Sequence, residues 1–153
     1  MQDLSVKFAQ ETKKILEDGE LIFSEGDESR EMYIVSEGEV EVTKKTNHGD
    51  IVLARLRKGD FVGEMSLLES LPRSATAKAK GRTKLVVIHP GGFLLKIRRD
   101  PTLAFEMLKE LSRRIRVTNE NLTRELNREQ FSKDSLTLIL NNSDFSAKSE
   151  KSA

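Results

Sequence analysis

The sequence predicts a mainly β fold with added α, an antiparallel jelly roll (double-stranded β-helix barrel) carrying one short inserted helix and a long C-terminal helix. Three observations predict it. Between Thr12 and Lys80 the chain falls into strand-length apolar runs, most of them closed by glycine beside a charged residue, the pattern of antiparallel strands and tight turns. One helical insertion, Glu64 to Glu69, interrupts them. After Gly92 the apolar period lengthens from two residues to about 3.6.

Residues 1–11, with Leu4, Val6 and Phe8 as their large apolar side chains, fit either a short helix or a strand lead-in. Strands follow in KKILEDG, ELIFSEGD, MYIVSEG, EVEVTKK and IVLARLRKG. Met32 to Val35 is apolar throughout and should be buried on both faces. Glu37-Gly38 reads as a tight hairpin turn, after which Val40 and Val42 alternate with Glu39 and Glu41 as in a strand with one wet face. Asn47 to Asp50 forms the next hairpin, and Lys58 to Asp60 turns the chain into the inserted helix. Ala75 to Lys80 and Leu85 to Ile88 give two more strands around a Gly81 turn.

Phe93 to Arg99 is then a short helix, and Asp100-Pro101 supplies an N-cap and a first-turn proline for the long one. Ala104, Leu108, Leu111, Ile115, Thr118, Leu122 and Leu126 recur at steps of three and four, placing them on one stripe. That stripe runs too far for a barrel to bury, and a homodimer through this helix is its simplest cover. Beyond Arg128 the pattern decays, leaving the apolar island Leu136 to Leu140 and a Ser-, Lys- and Asn-rich end. Residues 1–130 are therefore expected to form the domain, with 131–153 a flexible tail.

Composition narrows the function. The chain has 153 residues, enough for one domain with a real core. Its net charge of +1 argues against a generally basic, nucleic-acid-coating protein. The absence of cysteine removes disulfides, thiolate nucleophiles and thiolate metal sites together. His48 and His89 are too isolated for a metal site and read as solvated loop residues. No Ser-His-acid trio or isolable carboxylate pair suggests catalysis, so no activity, catalytic residue or metal is expected. Met1 to Gln10 carries no apolar signal-peptide core, and no run is long enough to cross a bilayer, which makes the cytoplasm the expected location.

The chemistry is concentrated in Phe61 to Ala79, FVGEMSLLESLPRSATAKA. Gly63 leaves its peptide open to close approach, and the helix that follows would aim its N-terminal amides back toward it, favouring an anion. Arg73 alone would read as a surface arginine pairing with Glu69. Beside Gly63 and the Ser74 hydroxyl, its fork of donors suits a phosphate. Ionised Glu64 is an obligatory acceptor, suited to a sugar hydroxyl. A phosphate and a ribose hydroxyl side by side describe a nucleotide.

Gly63, Glu64, Met65, Ser66, Leu67 and then Arg73, Ser74, Ala75 resemble the phosphate-binding cassette of cyclic nucleotide-binding domains, the family of cAMP-dependent kinase regulatory subunits, cyclic-nucleotide-gated channels and the bacterial catabolite activator protein. The resemblance implies that Glu64 takes the ribose 2′-hydroxyl and Arg73 an exocyclic phosphate oxygen, with Gly63 and Ser74 completing the cradle; Met65, Ser66 and Ala75 belong to the same ligand-binding run. Ser29 departs from the family, which often has glycine there, in a turn expected to lie remote from the ligand. RRIRVTNEN, from Arg113, is similar to the corresponding helix of the activator protein, which implies that Thr118 meets the base and that Asn119, in place of serine, reaches the ligand of a partner subunit. The activator's DNA-reading domain has no counterpart expected in the residues that remain.

The function so implied is a stand-alone cyclic nucleotide sensor that signals to a separate protein effector by movement of its C-terminal helix, without contacting nucleic acid or membrane. Thr118 favours cAMP, cGMP is the alternative that Ser74 leaves open, and a cyclic dinucleotide is a third. The reading from another class is a nucleotide-independent scaffold on the same fold, docking a partner through the helix and the Leu136 to Leu140 island.

Overall fold

The computed structural model describes residues 3–8 and 10–150. In chain order the elements are α1 (Leu4–Lys7), β1 (Lys13–Leu16), β2 (Leu21–Phe23), β3 (Met32–Thr46), β4 (Gly49–Leu56), β5 (Phe61–Val62), α2 (Glu64–Glu69), β6 (Thr76–Ile88), α3 (Pro90–Arg99) and α4 (Thr102–Glu150). The strands form a six-stranded antiparallel sheet in the order β1-β6-β3-β4, with β2 added to β6 and β5 to β3. This is the expected antiparallel β architecture with a short inserted helix and a long C-terminal one.

Two strands carry it. β3 and β6 pair from Met32↔Ile88 to Thr43↔Thr76, and the register shifts between Val35 and Glu37 and again between Glu37 and Glu39. Here the structure corrects the sequence reading twice. Gly38 is no hairpin turn, because β3 runs unbroken through it, and Gly81 likewise lies inside β6. Both glycines have left-handed φ, +85° and +71°, and act as bends at which the ladder shifts without reversing. At Gly38 glycine is obligatory, since a Cβ would stand 2.5 Å from the Arg82 carbonyl oxygen and 2.7 Å from Thr83 Oγ1. Thr83, fully buried at the bend, donates its hydroxyl to the Glu39 carbonyl at 3.0 Å.

Bending brings both halves of each strand onto one core: Tyr33, Val35 and Val40 from β3, Ala77, Ala79, Leu85 and Val87 from β6, with Leu16, Ile22, Phe23, Leu56 and Val62 around them. Met32 to Val35 is buried at every position, as its unbroken apolar run predicts. The remaining turns follow the sequence. Asn47-His48 joins β3 to β4, and at Lys58-Gly59 the Gly59 N–H donates to Val35 O and Val35 N–H to Asp60 O, both at 2.9 Å. β5 is thereby delivered beside Tyr33 and Ile34.

The undecided N-terminus is a helix. Asp3 caps α1 through Ser5 N–H at 2.9 Å, and Leu4 and Phe8 are buried. α3 begins at Pro90, three residues before the expected Phe93, because proline after extended His89 is a good first helical residue and outweighs the poor propensity of Gly91 and Gly92. Asp100 breaks the helical path before α4, with Leu103 N–H donating to its carbonyl at 3.1 Å.

The chain divides into two compact units, one ending at Leu103 and the other beginning at Ala104. The second is the body of α4, whose Leu108, Ile115, Leu122 and Leu126 are exposed. Its helix continues through Glu150 and includes the Leu136 to Leu140 island. Within it Glu110 is buried, and Arg113 and Arg114 donate to its carboxylate at 2.6 to 3.1 Å, holding its pKa below the ordinary value. Among the described residues no helix is long and apolar enough to cross a membrane.

Replacing Gly38 by alanine combines left-handed strain with a backbone clash and is expected to destabilise the protein by about 3 kcal/mol. Gly91→Ala, where an added Cβ meets nothing within 4 Å, is the control and should be neutral or stabilising by up to about 1 kcal/mol. Urea denaturation midpoints of the two variants check this.

Candidate functional site

β5 ends at Val62, and the chain must then pass from a buried strand into a helix within one residue. Gly63 does this at φ +86°, ψ +5°, as N-cap of α2. No L side chain fits there: an added Cβ would lie 2.7 Å from Arg73 Nη1, 2.8 Å from the Glu31 carbonyl and 3.4 Å from the Phe23 ring. The glycine is therefore required by the arginine that packs on it. α2 closes after six residues at Ser70, at φ +58°, whose N–H donates to Ser66 O at 3.0 Å. Leu71 and Pro72 then return the chain to Arg73.

Arg73 is the centre of the site. Its backbone is gripped by the turn after β2, with Arg73 N–H donating to Asp27 O at 2.7 Å and Gly26 N–H to Arg73 O at 2.9 Å. Its side chain is 1% exposed. Nε donates to Ser29 Oγ at 3.1 Å, Nη1 to the Gly63 carbonyl at 3.1 Å, and Nη2 to the Glu31 carbonyl at 2.7 Å, while the guanidinium carbon lies 4.2 Å above the Phe23 ring. The surface pairing with Glu69 is thus excluded by burial and by partners.

Burial pulls the Arg73 pKa below its ordinary value, opposed by Tyr33 and by the charges of Glu31, Asp27 and Glu64, and an arginine stays protonated under such a shift. Its carboxylate neighbour Glu31 approaches Nη2 only to 3.8 Å, longer than a hydrogen bond. The hydrogen-bond acceptors are neutral, and the Glu31 carboxylate forms a longer ion pair with the guanidinium beside the start of α2. Burial also raises the Tyr33 pKa, with Glu31 adding to the effect.

The other expected residues separate into two groups. Glu64 opens α2 and is buried, as are Ser66 and Ala75. Met65 and Ser74 are exposed, with the Ser74 hydroxyl 3.7 Å from Met65 Sδ across the gap between α2 and the start of β6. Gly63, Glu64, Met65, Ser66, Arg73, Ser74 and Ala75 are therefore assembled in one place. Thr118 and Asn119 lie in the second unit, exposed on α4.

Three residues escaped the sequence reading. Ser29 is not remote from the site, since it accepts from Arg73; the turn that looks distant along the chain is folded beneath the cassette. Phe23 reads as an ordinary core residue and also floors the guanidinium. Glu31 contributes through its main-chain carbonyl, which no side-chain pattern announces, and its carboxylate also lies 3.7 Å from His89 Nδ1. Among the described residues no group of three or more His, Asp or Glu is placed to hold a metal ion.

Comparison with known proteins agrees with this geometry. A family model described as cyclic nucleotide-binding domain matches residues 13–100, more than half of the chain. The cAMP-dependent protein kinase regulatory subunit of Yarrowia lipolytica is 42% identical over 82 residues, 54% of this chain and 21% of that protein. The cyclic AMP receptor protein of Thermus thermophilus is 35% identical over 115 residues, 74% of this chain and 52% of the relative. The chain thus spans about half or less of the length of these relatives. Among solved structures, the Thermus thermophilus catabolite activator protein superposes with a TM-score of 0.70 at 31% identity, covering 79% of this chain and 57% of that one.

Gly63→Ala should displace the Arg73 side chain as well as strain the backbone, lowering stability by about 3 kcal/mol. Thermal unfolding reads the loss. A variant as stable as the parent would show that Gly63 does not need its left-handed conformation.

Proposed function

This chain belongs to the cyclic nucleotide-binding domain family, and from that premise we propose that it is a cAMP sensor with no activity of its own. One observation carries the reading: a buried, protonated Arg73, held by neutral acceptors beside Gly63 and the first turn of α2, next to the buried carboxylate of Glu64. A cyclic phosphate can accept from the guanidinium, and a ribose hydroxyl can donate to Glu64. Gly63, Glu64, Met65, Ser66, Arg73, Ser74 and Ala75 are the proposed ligand-binding run. cAMP is preferred to cGMP because two relatives are named for cAMP.

The output is assigned to α4, with Thr118 as the base contact and Asn119 as a contact to the ligand of a second copy. Support is their exposure on the same helix as Leu108, Ile115 and Leu122, whose seven-residue spacing suits pairing with another such helix. The proposed domain comprises residues 1–130, with 131–153 an appendage to it. A separate effector protein reads the change, in the cytoplasm.

Calorimetric titration with cAMP and cGMP in parallel tests the ligand. Binding of cAMP at micromolar concentration or tighter is expected, weakened about 30-fold or more by Arg73→Ala, which removes charge-assisted hydrogen bonds to phosphate. Arg73→Lys, which keeps the charge but not the fork, guards against simple misfolding and should still bind at least tenfold more weakly than the parent. Absence of both heat and thermal stabilisation with either nucleotide would transfer support to the scaffold reading. For α4, saturating cAMP should slow hydrogen exchange over residues 100–130, with sedimentation of the same sample reporting pairing; identical exchange with and without ligand would remove α4 from the mechanism.

A further inference from the structure

The end of the β3–β4 hairpin is tied to the cassette by a lysine. Lys44 Nζ donates to the Ser74 carbonyl at 2.6 Å and to Glu25 Oε1 at 3.1 Å. Glu25 is itself held on two sides: its Oε2 accepts the Lys45 N–H at 3.2 Å, and its own N–H donates to Thr76 Oγ1 at 2.9 Å. The Lys45 amide and then the Lys44 ammonium keep the Glu25 carboxyl below its ordinary pKa.

What this contact does follows from the peptide it touches. Arg73 is fixed by the 24–27 turn through both of its backbone groups, and Thr76 is already in β6. Between them the Ser74–Ala75 peptide belongs to no strand or helix, and its carbonyl is aimed at Lys44. The chain contains no cis peptide among the described residues, and in a trans peptide the N–H following a carbonyl points the opposite way. Lys44 therefore sets the direction of the Ala75 N–H, aiming it away from the hairpin.

We propose that Lys44, braced by Glu25, is a positioning residue for the ligand: by holding the Ser74 carbonyl outward it presents the Ala75 N–H to the cyclic phosphate. The inference rests on the nucleotide reading given above and adds to it a residue 30 positions away from the cassette in sequence. The contact joins a half-exposed ammonium to a neutral carbonyl, so its main effect is expected on the peptide's orientation rather than on global stability. Before a ligand arrives the peptide is already turned, and the ligand need not supply the free energy of turning it.

The test titrates wild type, Lys44→Met, Lys44→Arg, Glu25→Gln and Lys80→Met with cAMP by calorimetry, and follows the Ala75 amide resonance of each free protein by NMR. Lys80 is the control, a comparably exposed lysine whose ammonium pairs with Glu41 at 3.2 Å on the same sheet. Lys44→Met is expected to bind cAMP about tenfold more weakly, the effect of losing one charged hydrogen bond. Its Ala75 amide should shift before ligand is added, Lys44→Arg should restore both affinity and shift, and Glu25→Gln should produce the same changes to a smaller degree. Lys80→Met should match wild type. Wild-type affinity in Lys44→Met, or an arginine variant no better than methionine, overturns the positioning role while leaving the nucleotide reading intact. Wild type that binds no cyclic nucleotide overturns both.

Discussion

The cassette depends on one interaction, the burial of the Arg73 guanidinium between the Phe23 ring and the carbonyls of Gly63 and Glu31. A guanidinium withdrawn from water needs acceptors for its five N–H groups. Three acceptors come from two segments: the loop before β3, which supplies the Ser29 hydroxyl and the Glu31 carbonyl, and the junction of β5 with α2, which supplies the Gly63 carbonyl. The two segments are thereby fixed relative to each other, and Gly63 must be glycine because the arginine and the Glu31 carbonyl occupy the space of its side chain. These hydrogen-bond acceptors are neutral, with the Glu31 carboxylate as a longer ion-pair partner at 3.8 Å. One side chain thus organises the cassette.

That arrangement is possible because the barrel brings distant strands together. β3 and β6 each bend at a glycine without breaking, so one pair of strands serves both the half of the sheet that supports β5 and the half that supports β2. The junction leading into α2 comes from β5, while Phe23 and the turn that grips the Arg73 backbone come from β2. An independent hairpin at each glycine would have left the sheet in separate pieces, with no reason for Phe23 to lie under a residue fifty positions later. The hairpin formed by β3 and β4 extends the same logic outward, reaching Ser74 through Lys44.

The electrostatics of the site are set by burial and by the surrounding carboxylates. Acidic groups around Arg73 raise its affinity for its proton, yet the closest carboxylate stays beyond hydrogen-bonding distance, and Glu64 lies buried at the head of α2. A buried guanidinium and a buried carboxylate at the head of α2 thus stand in one site. In the second unit the Glu110 carboxylate accepts from its own helix neighbours Arg113 and Arg114.

The sequence by itself determined the strand-rich class, the cassette residues from Gly63 to Ala75, and the change to helix after Gly92. These are local signals: apolar alternation, glycine at left-handed positions, and a motif whose residue types stand at fixed spacing. Tertiary structure alone decided whether a glycine bends a strand or reverses it, because Gly38 and Gly81 differ from hairpin glycines only in what pairs across them. It likewise decided that Ser29, Phe23 and Glu31 serve the arginine and that Lys44 reaches Ser74. The physical reason is that these contacts are made by main-chain carbonyls and ring faces across long separations in the chain. Every residue has a carbonyl, so the identity of an acceptor is written in the path of the backbone rather than in its side chains.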